Sequence, residues 1–403
     1  MEEIQPSKYR WYILSLGVLS HIFAAAIPSM SMPVLFAEIS EDLGLNLVQL
    51  GTVWGILSLA GLFASFIGGL LGDRYGTKRT LATACMLAGV LGGMRGLSNS
   101  FTTLVFTMFC FGFSTATISL ITHKAAGLWF PWRQLGLANG ILSTGMGAGM
   151  TVGSLISATV MSPLLGGWRN VLFLYGVLSF IIGILWVFSR SEPRSSITES
   201  TFQTIPFREA LSHVARIKPV WMLALAGIFF SGCYHGLAGY LPLFLRNSGW
   251  SPVSADSALA LFSALGMLGA IPLSYLSDRI GSRKAILIVA QAITMIGVGL
   301  LSVASAGMVW MIMIAMGIFR EARPALMVTL IMELEGVGGK YAGTALGLRG
   351  SVGRLGGIFG PPVGNSFAGA NPGLPFVFWA VLALISLVLL GLVKETERKK
   401  TSG

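Results

Sequence analysis

The apolar positions of this chain neither alternate nor recur on one helical face; they run on. Long hydrophobic stretches bounded by charged or turn-forming residues lie near 11–36, 47–71, 80–98, 102–128, 134–161, 168–189, 219–245, 254–277, 284–306, 308–331, 341–367 and 374–393. An α-helix needs about 20 apolar residues to cross the hydrocarbon core of a bilayer, so the pattern predicts an all-α integral membrane protein with twelve transmembrane helices. The widest gap, 190–218, carries Arg190, Arg194, Arg208, Arg216 and Lys218 among Ser, Thr and Pro. It divides the chain into a six-helix half at 1–189, a linker at 190–218, and a second six-helix half at 219–403 with a short tail.

Composition supports this reading. Of 403 residues, 54% are hydrophobic and 11% charged, against roughly a quarter charged in a soluble domain. Twelve spans consume about 240 residues, leaving connecting loops and no sizeable extramembrane domain. Cys85, Cys110 and Cys233 all lie in apolar runs without CxxC spacing, so neither a disulfide framework nor a metal site is expected. The first apolar run is too long for a signal-peptide core and reads as a retained helix. The absence of any Asn-x-Ser/Thr acceptor is consistent with a bacterial or archaeal cell inner membrane.

The net charge of +11 forms no basic face, so nucleic acid is not an expected partner. Lys and Arg accumulate on the cytoplasmic side of membrane proteins, and here they separate by alternate connections. Twenty fall on the set comprising the N-terminus, the 2–3, 4–5, 6–7, 8–9 and 10–11 connections and the C-terminus; the other set holds Arg95, Arg169 and Arg246. Both termini are therefore expected to be cytoplasmic. Arg95 and Arg246 near outer span ends, and Lys124 near an inner one, are expected to snorkel to the interface.

An internal repeat stands out. Gly69-Leu70-Leu71-Gly72-Asp73-Arg74-Tyr75-Gly76-Thr77-Lys78-Arg79 follows span two, and Ser274-Tyr275-Leu276-Ser277-Asp278-Arg279-Ile280-Gly281-Ser282-Arg283-Lys284 follows span eight, 205 residues later. Gly136-Leu137-Ala138-Asn139-Gly140-Ile141 is echoed by Gly343-Thr344-Ala345-Leu346-Gly347-Leu348 at an offset of 207. Twelve spans, a doubled unit and G-x3-D-R-x-G-x-[RK]-[RK] after spans two and eight resemble the major facilitator superfamily. The resemblance covers essentially the whole chain. It implies two halves enclosing a central cavity, with alternating access by rocking of one half on the other. It also implies that Asp73, Arg74 and Arg79, with Asp278, Arg279 and Arg283, act as conformational gates. A tight glycine turn with positive-inside anchors accounts for part of the same signal. The second copy departs from the pattern at Ser274, where glycine is expected.

Four arginines remain that belong to no loop. Arg320 lies about 18 Å along span ten, and Arg349 and Arg354 about 12 and 20 Å into span eleven; Arg323 shares a helical face with Arg320. A charge at mid-membrane costs at least about 2.5–3.5 kcal/mol on insertion scales, so each needs a partner or a wet cavity. The only deep carboxylate is Glu321. The surplus of positive charge suits an anion, which arginine can hold bidentately, and Arg320 and Arg354 are the first candidates, followed by Arg349 and Arg323. The alternative is structural: Glu321 pairs with one arginine while another caps backbone carbonyls near Pro324 or in span eleven.

Glu321 is the candidate for proton coupling, or else a counter-ion to its arginine neighbours. His235 in span seven is a second proton candidate. His21, about 15 Å into span one, is a candidate for proton exchange or substrate contact, and Tyr234 is a further substrate-contact candidate; packing roles are open for all three. The expected function is secondary transport of a small organic anion, a carboxylate, by proton symport or exchange, in a monomeric carrier without cofactor. The charge placement is loosely similar to the monocarboxylate and oxalate/formate carriers of the family. Nitrate carriers resemble each other in having an arginine in spans two and eight, which are without one here. A drug or organic-cation exporter would prefer buried acids in the N-terminal half, and none lies deep there. No nucleophile or metal constellation suggests an enzyme, and no G-x4-G-K-[ST] loop suggests a pump.

Overall fold

The computed structural model describes residues 8–190, 207–280, 282–320 and 322–393. All regular structure among them is helical. The first part contains α1 (Tyr9–Leu43), α2 (Leu47–Tyr75), α3 (Thr77–Leu97), α4 (Phe101–Trp129), α5 (Gln134–Leu165) and α6 (Trp168–Phe188). Then come a short α7 (Phe207–Val214), α8 (Lys218–Asn247), α9 (Pro252–Ile280), α10 (Arg283–Leu300), α11 (Ala306–Arg320), α12 (Ala322–Met332), α13 (Gly338–Ser366) and α14 (Leu374–Leu392).

Among the described residues, ten helices are long and apolar enough to cross a membrane: α1 to α6, α8, α9 through its first 18 residues, α10 and α14. The predicted tenth span falls on α11, an apolar helix of 15 residues, and on α12, with 11; the eleventh falls on α13. Position 321, between α11 and α12, lies outside the described residues, and in α13 glycines, Pro361, Pro362, Arg349 and Arg354 dilute the apolar residues. The predicted linker contains α7, which the span pattern did not reveal because eight residues are too few for a membrane signature.

Local chemistry fixes the ends. The Asn46 side chain accepts from Gln49 N–H while Gln49 accepts from Asn46 N–H, both at 2.9 Å, a reciprocal cap that starts α2. Left-handed Gly44 (φ 63°) closes α1, where a side chain would be strained. The Gly69 to Tyr75 motif is helical rather than loop, and only Gly76 (φ 80°) separates α2 from α3.

Residue contacts divide the chain into two compact units: unit 1 holds the described residues of Met1–Ser200 with Gly239–Ser263, and unit 2 those of Thr201–Ala238 and Ala264–Gly403. In unit 1, α5 packs on α1 through glycines. A Cβ on Gly149 would lie 3.0 Å from Ile22 Cα, and one on Gly153 2.9 Å from Ile27 Cα, so the backbones touch as small-residue faces allow. In unit 2, Gly356 and Gly360 of α13 meet Ile228 and Gly232 of α8 in the same way. Trp379 of α14 covers Gly236 and Gly364, and its Nε1 donates to Gly360 O at 2.9 Å.

Two of the three basic residues expected to snorkel turn inward instead. Arg95 is fully buried, donates to Gly92 O at 3.0 Å and Pro28 O at 3.1 Å, and stands 3.7 Å from the Phe111 ring centroid. Arg246 donates to the fully buried Asp256 at 2.6 Å. Lys124 pairs with Asp73. Arg95 and Arg246 each found a nearer partner than the interface, a carbonyl and ring for one and a buried carboxylate for the other, whereas the Lys124–Asp73 pair is open, with side-chain exposures of 35% and 72%.

Candidate functional site

The site grows from one face of α8. Phe230 and Tyr234 are four residues apart, so one helical turn stacks their rings, 6.3 Å between centroids and 13° between planes. Arg323 of α12 sits over Phe230 with its guanidinium carbon 3.1 Å from the ring centroid. Arg320 of α11 sits over Tyr234 at 5.3 Å. The result is a pair of cation–π contacts, one turn apart, within unit 2.

Arg323 is 4% exposed, and its Nε, Nη1 and Nη2 are all buried with no hydrogen-bond partner among the described residues. A ring face attracts the cation but accepts no ordinary hydrogen bond. The guanidinium is thus held in place with its N–H donors unspent. Arg349 of α13 lies within electrostatic range of Arg323. Its Nε is also buried without a partner among the described residues and faces Gly227, where a Cβ would stand in ordinary van der Waals contact at 3.6 Å.

The remaining arginine, Arg354, shares an electrostatic neighbourhood with Arg320 around His235. That ring turns its Nδ1 to Ser231 O at 3.0 Å and meets Tyr234 edge-on at 5.4 Å. The described part of unit 2 therefore brings together Arg320, Arg323, Arg349, Arg354, Tyr234 and His235. Four like charges around one helix are costly in a low-dielectric interior, and an anion offering several oxygen acceptors relieves both the charge and the idle donors.

His21 belongs to unit 1 and is not part of this cluster. Glu321 and the Asp278 side chain lie outside the described residues. Of the other motif residues, Asp73 bonds Lys124 at the end of α4. Arg74 leans over the neighbouring Tyr75 at 5.5 Å, and Arg79 and Arg279 are exposed. Arg283 is 8% exposed and donates to Ser277 Oγ at 3.1 Å. Sequence reasoning missed Phe230 and Gly227. The spacing of Phe230 from Tyr234 was the available signal, hidden because aromatics in apolar helices usually pack against lipid or neighbours.

The described helices and a buried, donor-rich cation cluster define a multi-pass membrane carrier. The family model for the major facilitator superfamily matches residues 17–334 and 245–403, and the chain belongs to that superfamily; it is a membrane transporter and not an enzyme. It is 29% identical to the probable nitrate/nitrite antiporter NarK1 of Thermus thermophilus over 96% of this chain and 91% of that protein. It is 24% identical to the probable sulfoacetate transporter SauU of Cupriavidus necator, covering 89% and 87%. It is 22% identical to the 4-hydroxybenzoate transporter PcaK of Pseudomonas putida, covering 96% and 92%. Among solved structures, a bacterial homologue of the human lysosomal transporter Spinster, inward-facing and occupied, aligns with TM-score 0.76 at 17% identity, covering 96% of this chain and 97% of that one. That likeness concerns the fold.

Proposed function

We propose that this chain is a secondary carrier of a small organic anion, a carboxylate, working by alternating access and driven by a proton gradient or by exchange. The observation that carries the reading is Arg323: buried, stacked on Phe230, with three nitrogens lacking hydrogen-bond partners among the described residues. Arg320, Arg349 and Arg354 complete the anion site, with Tyr234 beside it. The relatives' names support the anion part of the reading, since nitrate, sulfoacetate and 4-hydroxybenzoate share negative charge and oxygen acceptors.

A carboxylate is favoured over nitrate because the deep arginines lie on α11 to α13, while spans two and eight, 47–71 and 254–277, carry none. The reading includes twelve spans, two six-helix halves at 1–189 and 219–403 joined by 190–218, cytoplasmic termini and a monomeric carrier in the cell membrane. Asp73, Arg74, Arg79, Asp278, Arg279 and Arg283 serve as gates at the cytoplasmic ends, and Glu321 with His235 as proton-handling groups.

The test is uptake of labelled acids into proteoliposomes under an imposed pH gradient. A panel of 4-hydroxybenzoate, sulfoacetate, glucarate and nitrate should give saturable, pH-driven uptake of at least one carboxylate. Export of cationic dyes with no uptake of any acid overturns the reading.

A further inference from the structure

Unit 1 holds a second polar arrangement that the anion site does not use. Within α1, residues Ser20–Ala26 form a π-helical segment, a local widening that often marks a functional position. His21 sits on it, 2% exposed, with Nδ1 3.1 Å from Leu142 O on α5. A carbonyl only accepts, so Nδ1 carries the hydrogen and Nε2 is a bare lone pair. That Nε2 is buried and has no partner among the described residues.

The His123 ring of α4 meets it edge-on, 5.5 Å between centroids. His123 is exposed, and its Nδ1 lies 2.9 Å from Asn139 Oδ1 on α5; an amide oxygen only accepts, so Nδ1 carries the hydrogen here too and Nε2 is a lone pair. The other polar groups nearby are committed elsewhere. Thr122 Oγ1 donates to Ile118 O; Ser20 Oγ donates to Leu16 O and accepts from Trp186 Nε1. Lys124 is paired with Asp73. Among the elements packed on the π segment, α3 contributes Cys85 beside Ser20 and the bound Arg95, α4 contributes His123, the described part of α5 has no charged residue, and Tyr175 of α6 bonds Ser157.

We infer that His21 and His123 form a proton-binding pair, in which His123 takes a proton at its exposed face and passes it to the buried Nε2 of His21. His123 Nε2 gains the proton from hydronium, leaving water, and loses it from that same nitrogen to His21 Nε2, which later returns it to water, so no other reactant is required. This inference rests on the carrier reading for its purpose: a proton carried with an anion offsets that anion's charge. It moves His21 from the substrate contacts to the proton path.

Two measurements test it on the full-length chain. In histidine-labelled protein in nanodiscs, 15N NMR at alkaline pH should show both rings as the Nδ1–H tautomer, assigned by loss of signal in His21→Asn and His123→Asn; an Nε2–H ring at His21 overturns the proposal. In liposomes, labelled 4-hydroxybenzoate, glucarate and nitrate serve as probes for pH-driven accumulation and for pH-clamped counterflow. Asn keeps a donor for Leu142 O but cannot titrate here. His21→Asn should therefore lower accumulation at least tenfold and counterflow less than threefold. Unchanged accumulation, or equal loss of both modes, overturns the proton role. A wild-type protein that moves no probe in either mode sinks the carrier reading for those anions and leaves the tautomers to decide the histidine pair.

Discussion

Arg323 and Phe230 lie 3.1 Å apart, guanidinium carbon to ring centroid, inside a helical unit where the arginine's nitrogens find no hydrogen-bond acceptor among the described residues. An aromatic face is an unusual resting place for a fully buried cation, because it supplies attraction without saturating the donors. Arg323→Lys replaces the planar fork by a point charge. We expect a loss of anion affinity of roughly tenfold, about 1.4 kcal/mol, with normal expression. Direct binding measured by scintillation proximity reads this, and unchanged affinity removes Arg323 from the site.

Arg320 and Arg354 share the neighbourhood of His235. Arg320→Lys and Arg354→Lys should each raise the apparent KM for uptake several-fold. If transport is unchanged in both, the anion does not bind where these arginines meet.

Glu321 separates coupling from binding. Glu321→Gln should abolish pH-driven accumulation while counterflow continues if this carboxyl carries the coupled proton. Loss of both modes together assigns it to pairing with an arginine instead.

The Arg246–Asp256 pair is buried on both sides, with side-chain exposures of 14% and 0%. Breaking a buried pair by removing one partner costs about 3–5 kcal/mol, whereas replacing both with apolar groups is far less harmful. Asp256→Asn should lower the thermal unfolding temperature in detergent by several degrees, and the double variant Asp256→Leu with Arg246→Met should recover most of it. A single variant as stable as wild type shows that the pair contributes little.

Gly356 leaves no room for a side chain, since a Cβ would collide with Ile228 O. Gly356→Ala should therefore force α8 and α13 apart and reduce the yield of monodisperse protein on size exclusion. Gly343, with open space around it, should tolerate the same change.

Hydropathy made most of the fold legible, because ten of the helices satisfy a length and composition rule that requires no tertiary information. The rule weakens at α13, where glycine, proline and two arginines take the place of apolar residues. The four arginines were legible as misplaced charges, and so was their convergence, from depth along adjacent spans. Arg95 shows the limit. Its position near a span end suggested snorkelling, but a carbonyl at Pro28 and a ring at Phe111, remote in sequence, offered a closer partner. The π segment at His21 was hidden as well, since Ser20–Ala26 is apolar enough to continue a regular helix, and the tautomer depends on Leu142, 121 residues away.

The guanidinium cluster around α8 also determines what stays out. A small metal cation entering the neighbourhood of Arg320, Arg323, Arg349 and Arg354 meets several positive charges in a medium that screens them poorly. On the proposed reading, the charges that attract an anion are the same charges that keep metal cations from leaking through, so one cluster would set both what is carried and what is refused.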